Sequence, residues 1–133
     1  MTVTNSSIAA RAAALATELA EHDHLPAVRY VTVYDDSFHL GVDGVFKTFE
    51  SVTKLAEWAR ALDVMVSIET QWVGGSGRIH AVLPFACGPV EMDVHLSTAM
   101  AYELGRKLQI EPPERGTIEV TAEQLLAVLG GAA

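Results

Sequence analysis

Two histidines stand at matching points of two similar stretches. In the first, a helix ending Leu19-Ala20-Glu21 leads into a strand pair that returns through Phe38-His39-Leu40. In the second, a helix carrying Leu55-Ala56-Glu57 leads into a strand pair with Ile79-His80-Ala81 in the equivalent place. Doubled units of this kind build one layered domain around a pseudo-twofold relation. They also put one imidazole on each copy, and imidazole is the side chain best suited to proton transfer and metal binding near neutral pH.

The sharpest chemical constellation is His80, Asp93 and His95. If the strands fold back around Cys87-Gly88, His80 lies opposite or diagonal to Asp93 and His95, within reach of a shared ligand. Two histidines and a carboxylate suit a divalent metal. Yet no HExxH, Cys pair or short ligand spacing accompanies them, and a half-polar strand places His, Asp and Glu side by side merely by being exposed.

Other residues point less far. Cys87 with His80 or His95 and Asp93 has the residue types of a nucleophile, a base and an orienting acid. However, it falls in a turn and not at a helix N-terminus that would lower its pKa. His22-Asp23-His24 falls where the first helix ends, where a cation is favoured by the last carbonyls, so capping is the expected role. Gly74-Gly75-Ser76-Gly77 leads into another strand, unlike a phosphate loop or a nucleophile elbow, each of which opens a helix.

The elements that must position these groups follow from periodicity. A first helix is expected from about Ser7 to Glu21, capped by Ser6 or Ser7, with Ile8, Ala12, Leu15 and Leu19 on one stripe. Pro26 ends it. Val31, Val33, Phe38, Leu40 and Val42 then form the apolar face of a hairpin around Asp35-Asp36. Tyr30, Thr32, Tyr34, His39 and Asp43 fall on the opposite face. A second helix, Thr48 to Leu62, buries Phe49, Val52, Leu55, Ala59 and Leu62, with Trp58 half covered at the stripe edge.

A three-stranded meander follows: Val64–Val73, Arg78–Phe85 and Val90–Leu96. Its outward set is Ser67, Glu69, Gln71, His80, Glu91, Asp93 and His95, and Trp72 shares the inward parity of Val66 and Ile68. Ser97 or Thr98 caps a third helix to about Leu108. Thr117 to Val120 is a short strand, and Thr121 with Gln124 forms a capping box for a last helix, Ala122 to Leu129, stopped by Gly130-Gly131. The expected fold is a single α+β domain over residues 1–133. It has one mixed, mainly antiparallel sheet of about five strands from two helix-hairpin units, helices on one face and two C-terminal helices.

Composition bounds the function. Of 133 residues half are hydrophobic and a fifth charged, enough apolar material for a core without disulfides. A formal net charge of −8, with Arg106-Lys107 the only adjacent basic pair, argues against binding to nucleic-acid phosphates. A nucleic-acid mimic would need its carboxylates aligned, and the 17 acidic residues are dispersed. The lone Cys87 suits a reducing compartment. Met1 to Ile8 lacks the basic and apolar regions of a secretion signal, and no apolar run is long enough for a membrane span, so a cytoplasmic location is expected.

Ala9-Ala10-Arg11-Ala12-Ala13-Ala14-Leu15, the Ala-rich helices and the closing Val120-Thr121-Ala122-Glu123-Gln124-Leu125-Leu126 resemble small uncharacterised proteins of high-GC actinobacteria and their phages or mobile elements. The resemblance covers the two ends of the chain and carries no catalytic residues. It implies an accessory, regulatory role.

With no strong catalytic signature, the leading expectation is a non-enzymatic protein-interaction module, homodimeric and without a cofactor, whose contact surface is Tyr30, Tyr34, His39 and Trp58. The competing class is a metal- or small-molecule-binding protein, with hydrolysis as its reaction, using His80, Asp93 and His95.

Overall fold

Cap chemistry sets the helix ends in the computed structural model, which describes residues 4–34, 37–42, 49–71, 76–109 and 115–130. Helix α1 (Asn5–Glu21) opens on Thr4, not on Ser6 or Ser7. The Thr4 hydroxyl accepts from the Ser7 amide and the Ser7 hydroxyl from the Thr4 amide, both at 3.1 Å, so two orphan donors are satisfied at once. Of the inward stripe expected for α1, Leu15 is buried and Ile8 and Leu19 are half-buried, but Ala12 is exposed and Arg11 is half-buried in its stead. The reason is that Arg11 does more than Ala12 can. Its guanidinium lies 5.0 Å from the Phe38 ring centroid, and its Nε donates to the Cys87 carbonyl at 3.2 Å.

Helix α2 (Phe49–Leu62) buries Val52, Leu55, Ala56, Trp58 and Ala59. Helix α3 (Thr98–Leu108) is capped by Ser97, whose hydroxyl accepts from the Met100 amide, and ends on Gln109 in the left-handed conformation. Helix α4 (Ala122–Leu129) carries the Thr121–Gln124 capping box and stops at Gly130, whose φ of 76° suits a residue without a Cβ.

Among the described residues the strands are β1 (Tyr30–Val33), β2 (Phe38–Gly41), β3 (Val66–Gln71), β4 (Ser76–Leu83), β5 (Val90–Ser97) and β6 (Arg115–Val120). They form one six-stranded mixed sheet in the order β1-β2-β5-β4-β3-β6. The sixth strand, against about five expected, is β6, which pairs with β3 from Val66↔Val120 to Gln71↔Arg115. Only β2 and β5 run parallel among these pairs; the connection between them spans α2, β3 and β4, as a parallel pair requires a crossover.

Alternation divides the sheet into two unlike faces. Phe38, Leu40, Val66, Ile68, Ile79, Ala81, Leu83, Val90, Met92, Val94 and Leu96 are buried beneath the helices. Phe38 and Ile79 both turn inward, as the repeat requires, so His39 and His80 both fall on the opposite, open face. Burial of the inward row is the main stabilising contribution, at roughly 1.5–3 kcal/mol for each large side chain.

Two expectations fail here. Trp58 is not half covered: it is 2% exposed, and its Nε1 donates to the Pro26 carbonyl at 2.7 Å. The side of α2 that carries it meets the segment following α1, not solvent. In the other direction, Val31 and Val33 share the inward parity of Leu40 and Phe38 yet are 42% and 49% exposed. Strand β1 lies at the sheet edge, where no helix covers it enough to bury them. Trp72, Asp43 and the Asp35-Asp36 turn lie outside the described residues.

Candidate functional site

The open face brings together a charged cluster and, beside it, an aromatic edge. The cluster is built on four adjacent strands by register: His39↔Glu91 between β2 and β5, His80↔Asp93 and Arg78↔His95 between β4 and β5, and Glu69↔Arg78 between β3 and β4. The Arg78 guanidinium sits at its centre. NH1 donates to Glu69 Oε2 at 3.0 Å, and NH2 is shared between Glu91 Oε1 and Asp93 Oδ2 at 3.3 Å each. Burial works against this charge, and Asp93, Glu91 and Glu69 together more than offset it.

The two repeat histidines meet on one carboxylate. His39 Nε2 is 3.0 Å from Glu91 Oε2, and His80 Nδ1 is 3.3 Å from Glu91 Oε1. The other nitrogen of His39 faces Asp93 Oδ2 at 3.4 Å. A neutral imidazole can donate to one of those carboxylates and an imidazolium to both. The expected proximity of His80 and Asp93 holds as direct cross-strand neighbours. His95 is opposite Arg78, exposed, and makes none of the ion pairs that join the cluster.

This arrangement neutralises the carboxylates from within. Among the described residues no group of three or more His, Cys, Asp or Glu is arranged to hold a metal ion. Arg78 occupies the position between Glu91 and Asp93 from which a cation would bind both, and its own charge opposes a second. Sequence reading missed Arg78 and Glu91 as the organising pair. The available signal was parity, since Arg78 shares a face with His80, and Glu91 with Asp93.

Burial, and after it the Arg78 charge, push the His80 imidazole below the usual histidine range. The folded protein therefore takes up this proton less readily than the unfolded chain. Stability from this group is complete above the ordinary value of about 6.5 and is lost as pH falls through the depressed one. We expect His80→Gln to flatten part of the fall in melting temperature between pH 7.5 and pH 5. An unchanged pH profile would contradict this account.

The aromatic edge adjoins the cluster. Tyr34 packs edge-on against His39, ring centroids 4.6 Å apart. The Tyr30 ring covers Gly41, its cross-strand partner, so closely that a Cβ there would overlap it and displace the ring. Tyr30 and Tyr34 remain 44% and 50% exposed. Tyr30, Tyr34 and His39 thus share one patch, whereas Trp58 lies in the core, away from it.

Cys87 is buried, and burial pushes its thiol pKa up, the reverse of an activated nucleophile. His22 is the C-cap of α1, with Nδ1 donating to the Glu18 carbonyl at 2.8 Å, so the capping role is met. Its ring also lines a cavity of about 240 Å³ with Leu19, Leu25, Pro26, Val28 and Trp58. No helix among the described residues is long and apolar enough to cross a membrane. No protein-family model, curated protein or solved structure matches this chain.

Proposed function

We propose that this protein is a non-enzymatic accessory module that binds another protein chain through strand β1, and that it assembles as a homodimer. The observation that carries the reading is the exposure of β1 on both of its faces: Tyr30, Val31, Val33 and Tyr34 are each 42–50% exposed on an edge strand. Such an edge offers unpaired backbone donors and acceptors for strand addition. Edges that must stay unpaired carry charges or proline. The opposite edge, β6, includes Arg115 and Glu119, whereas residues 30–34 contain no charge and no proline.

Tyr30 and Tyr34 supply apolar contact area with a polar tip, a residue type enriched in interface cores. His39 fixes one of these rings and ties it to the carboxylates of β5. The test is hydrogen exchange at the Val31 and Val33 amides, combined with sedimentation from micromolar to millimolar protein. Association is expected to slow exchange at β1 but not at β6, and Tyr34→Ala is expected to weaken it. A strict monomer, or association indifferent to Tyr34→Ala with β1 still exchanging freely, would remove this function.

A further inference from the structure

Strand β1 and the residue after it run Tyr30-Val31-Thr32-Val33-Tyr34, which is the same in both directions about Thr32. A contact between two different proteins places no such demand on a strand. In a twofold contact residue i meets residue j and j meets i, so a palindromic strand sets like against like at every pair. We propose that β1 pairs antiparallel with β1 of a second copy about a twofold axis through Thr32, joining the two six-stranded sheets edge to edge. This rests on the reading of β1 as a contact edge and adds the partner and the register.

Backbone geometry agrees with that register. The Tyr34 amide donates inward to the Ser37 carbonyl at 2.9 Å. Alternation then turns Thr32 and Tyr30 toward β2 and leaves the amides and carbonyls of Val31 and Val33 on the open edge. With the axis at Thr32, Val31 of each copy exchanges both backbone hydrogen bonds with Val33 of the other. A shift of one residue sets outward groups against inward ones. A shift of two keeps the bonding but faces tyrosine with threonine. Only the centred register sets valine against valine on the helix side and tyrosine against tyrosine on the open side.

Charge selects the same place. Each copy carries a formal −8, so two copies repel over most of their surfaces, while residues 30–34 are uncharged and half exposed. A twofold axis perpendicular to the sheet keeps the helices of both copies on one side. The two clusters around Arg78 then share the other side.

Position 32 tests the register, because there alone each residue meets its own copy. In a non-hydrogen-bonded antiparallel pair the Cα atoms are about 4.5 Å apart, within disulfide reach. Thr32→Cys is expected to form a covalent dimer on mild oxidation, while the wild type, whose Cys87 is buried, does not. Thr32→Glu and Thr32→Lys should each weaken dimerisation about tenfold or more, and an equimolar mixture should restore it as a mixed dimer. Circular dichroism of each variant checks that the fold is kept.

A wild-type dimer that is weakened by Tyr34→Ala but neither cross-links through Thr32→Cys nor responds to Thr32→Glu overturns the register and leaves β1 as a contact edge. A wild type that stays monomeric throughout overturns both.

Discussion

Replacing Trp58 with alanine is expected to cost about 3–5 kcal/mol, among the largest single-residue effects in this fold. The indole is 2% exposed, so its whole apolar surface is lost from the core. Its Nε1 also holds the Pro26 carbonyl at 2.7 Å, and alanine leaves that acceptor without its partner. The adjoining cavity of about 240 Å³ would enlarge into the vacated volume instead of closing around it. Against a typical domain stability of about 5–15 kcal/mol the loss is severe, and the melting temperature should fall by roughly 10–20 °C.

Trp58→Phe separates the two contributions. It keeps much of the ring volume but removes the donor, and about 1–3 kcal/mol should be lost. Because Pro26 lies in the segment leading into β1, both variants should also loosen the start of that strand and weaken the proposed dimer. Denaturant melts at several protein concentrations would resolve the two effects. A Trp58→Ala protein within 1 kcal/mol of wild type would show that α2 and this segment are not clamped together as described.

Trp58 also shows where periodicity stops being informative. Its position at the edge of the α2 stripe was legible, and on a helix facing solvent that position would be half wet. It is dry because the segment after α1 lies against it, with the Pro26 carbonyl on its Nε1 and the tilted His22 ring 5.8 Å away between centroids. Val31 and Val33 fail in the opposite sense. Their inward parity was legible, but parity states which face a side chain takes and not whether a helix covers that face. Caps and alternation within a strand were readable because they are local: Thr121 with Gln124, Ser97 before α3, and His80 opposite Asp93 all stand as expected.

Strand order is a non-local property. The insertion of β5 between the two hairpins, parallel to β2, brings His39 and His80 onto the two oxygens of Glu91. Nothing in the spacing of the repeat implies this. The repeat therefore does converge on a shared group, but the group comes from a strand outside both copies. That placement also makes Arg78 necessary, since β5 brings Glu91 and Asp93 to the side of Glu69.

Arg78→Met should therefore be the largest perturbation of the open face. It removes the cation that contacts Glu69, Glu91 and Asp93 and leaves three neighbouring carboxylates to repel one another. Breaking a fully buried pair costs about 3–5 kcal/mol and an exposed one at most about 1. The Arg78 side chain is 27% exposed, so a loss of about 1–3 kcal/mol at pH 7.5 is expected.

The pH dependence makes this specific. In the wild type, burial and Arg78 both resist protonation of His80, while Glu91, Glu69 and Asp93 favour it. Without Arg78 only burial resists, so the His80 pKa moves upward and the imidazolium takes over part of the neutralisation. A group whose folded pKa rises gains stability as pH falls toward it. The deficit of Arg78→Met relative to wild type should therefore shrink between pH 7.5 and pH 5.5. Adding His80→Gln to Arg78→Met should remove that recovery. A deficit that stays constant with pH would mean that Arg78 acts on this face through packing of its aliphatic stem and not through charge, and a recovery that survives His80→Gln would place the proton uptake on another ionisable group of the cluster.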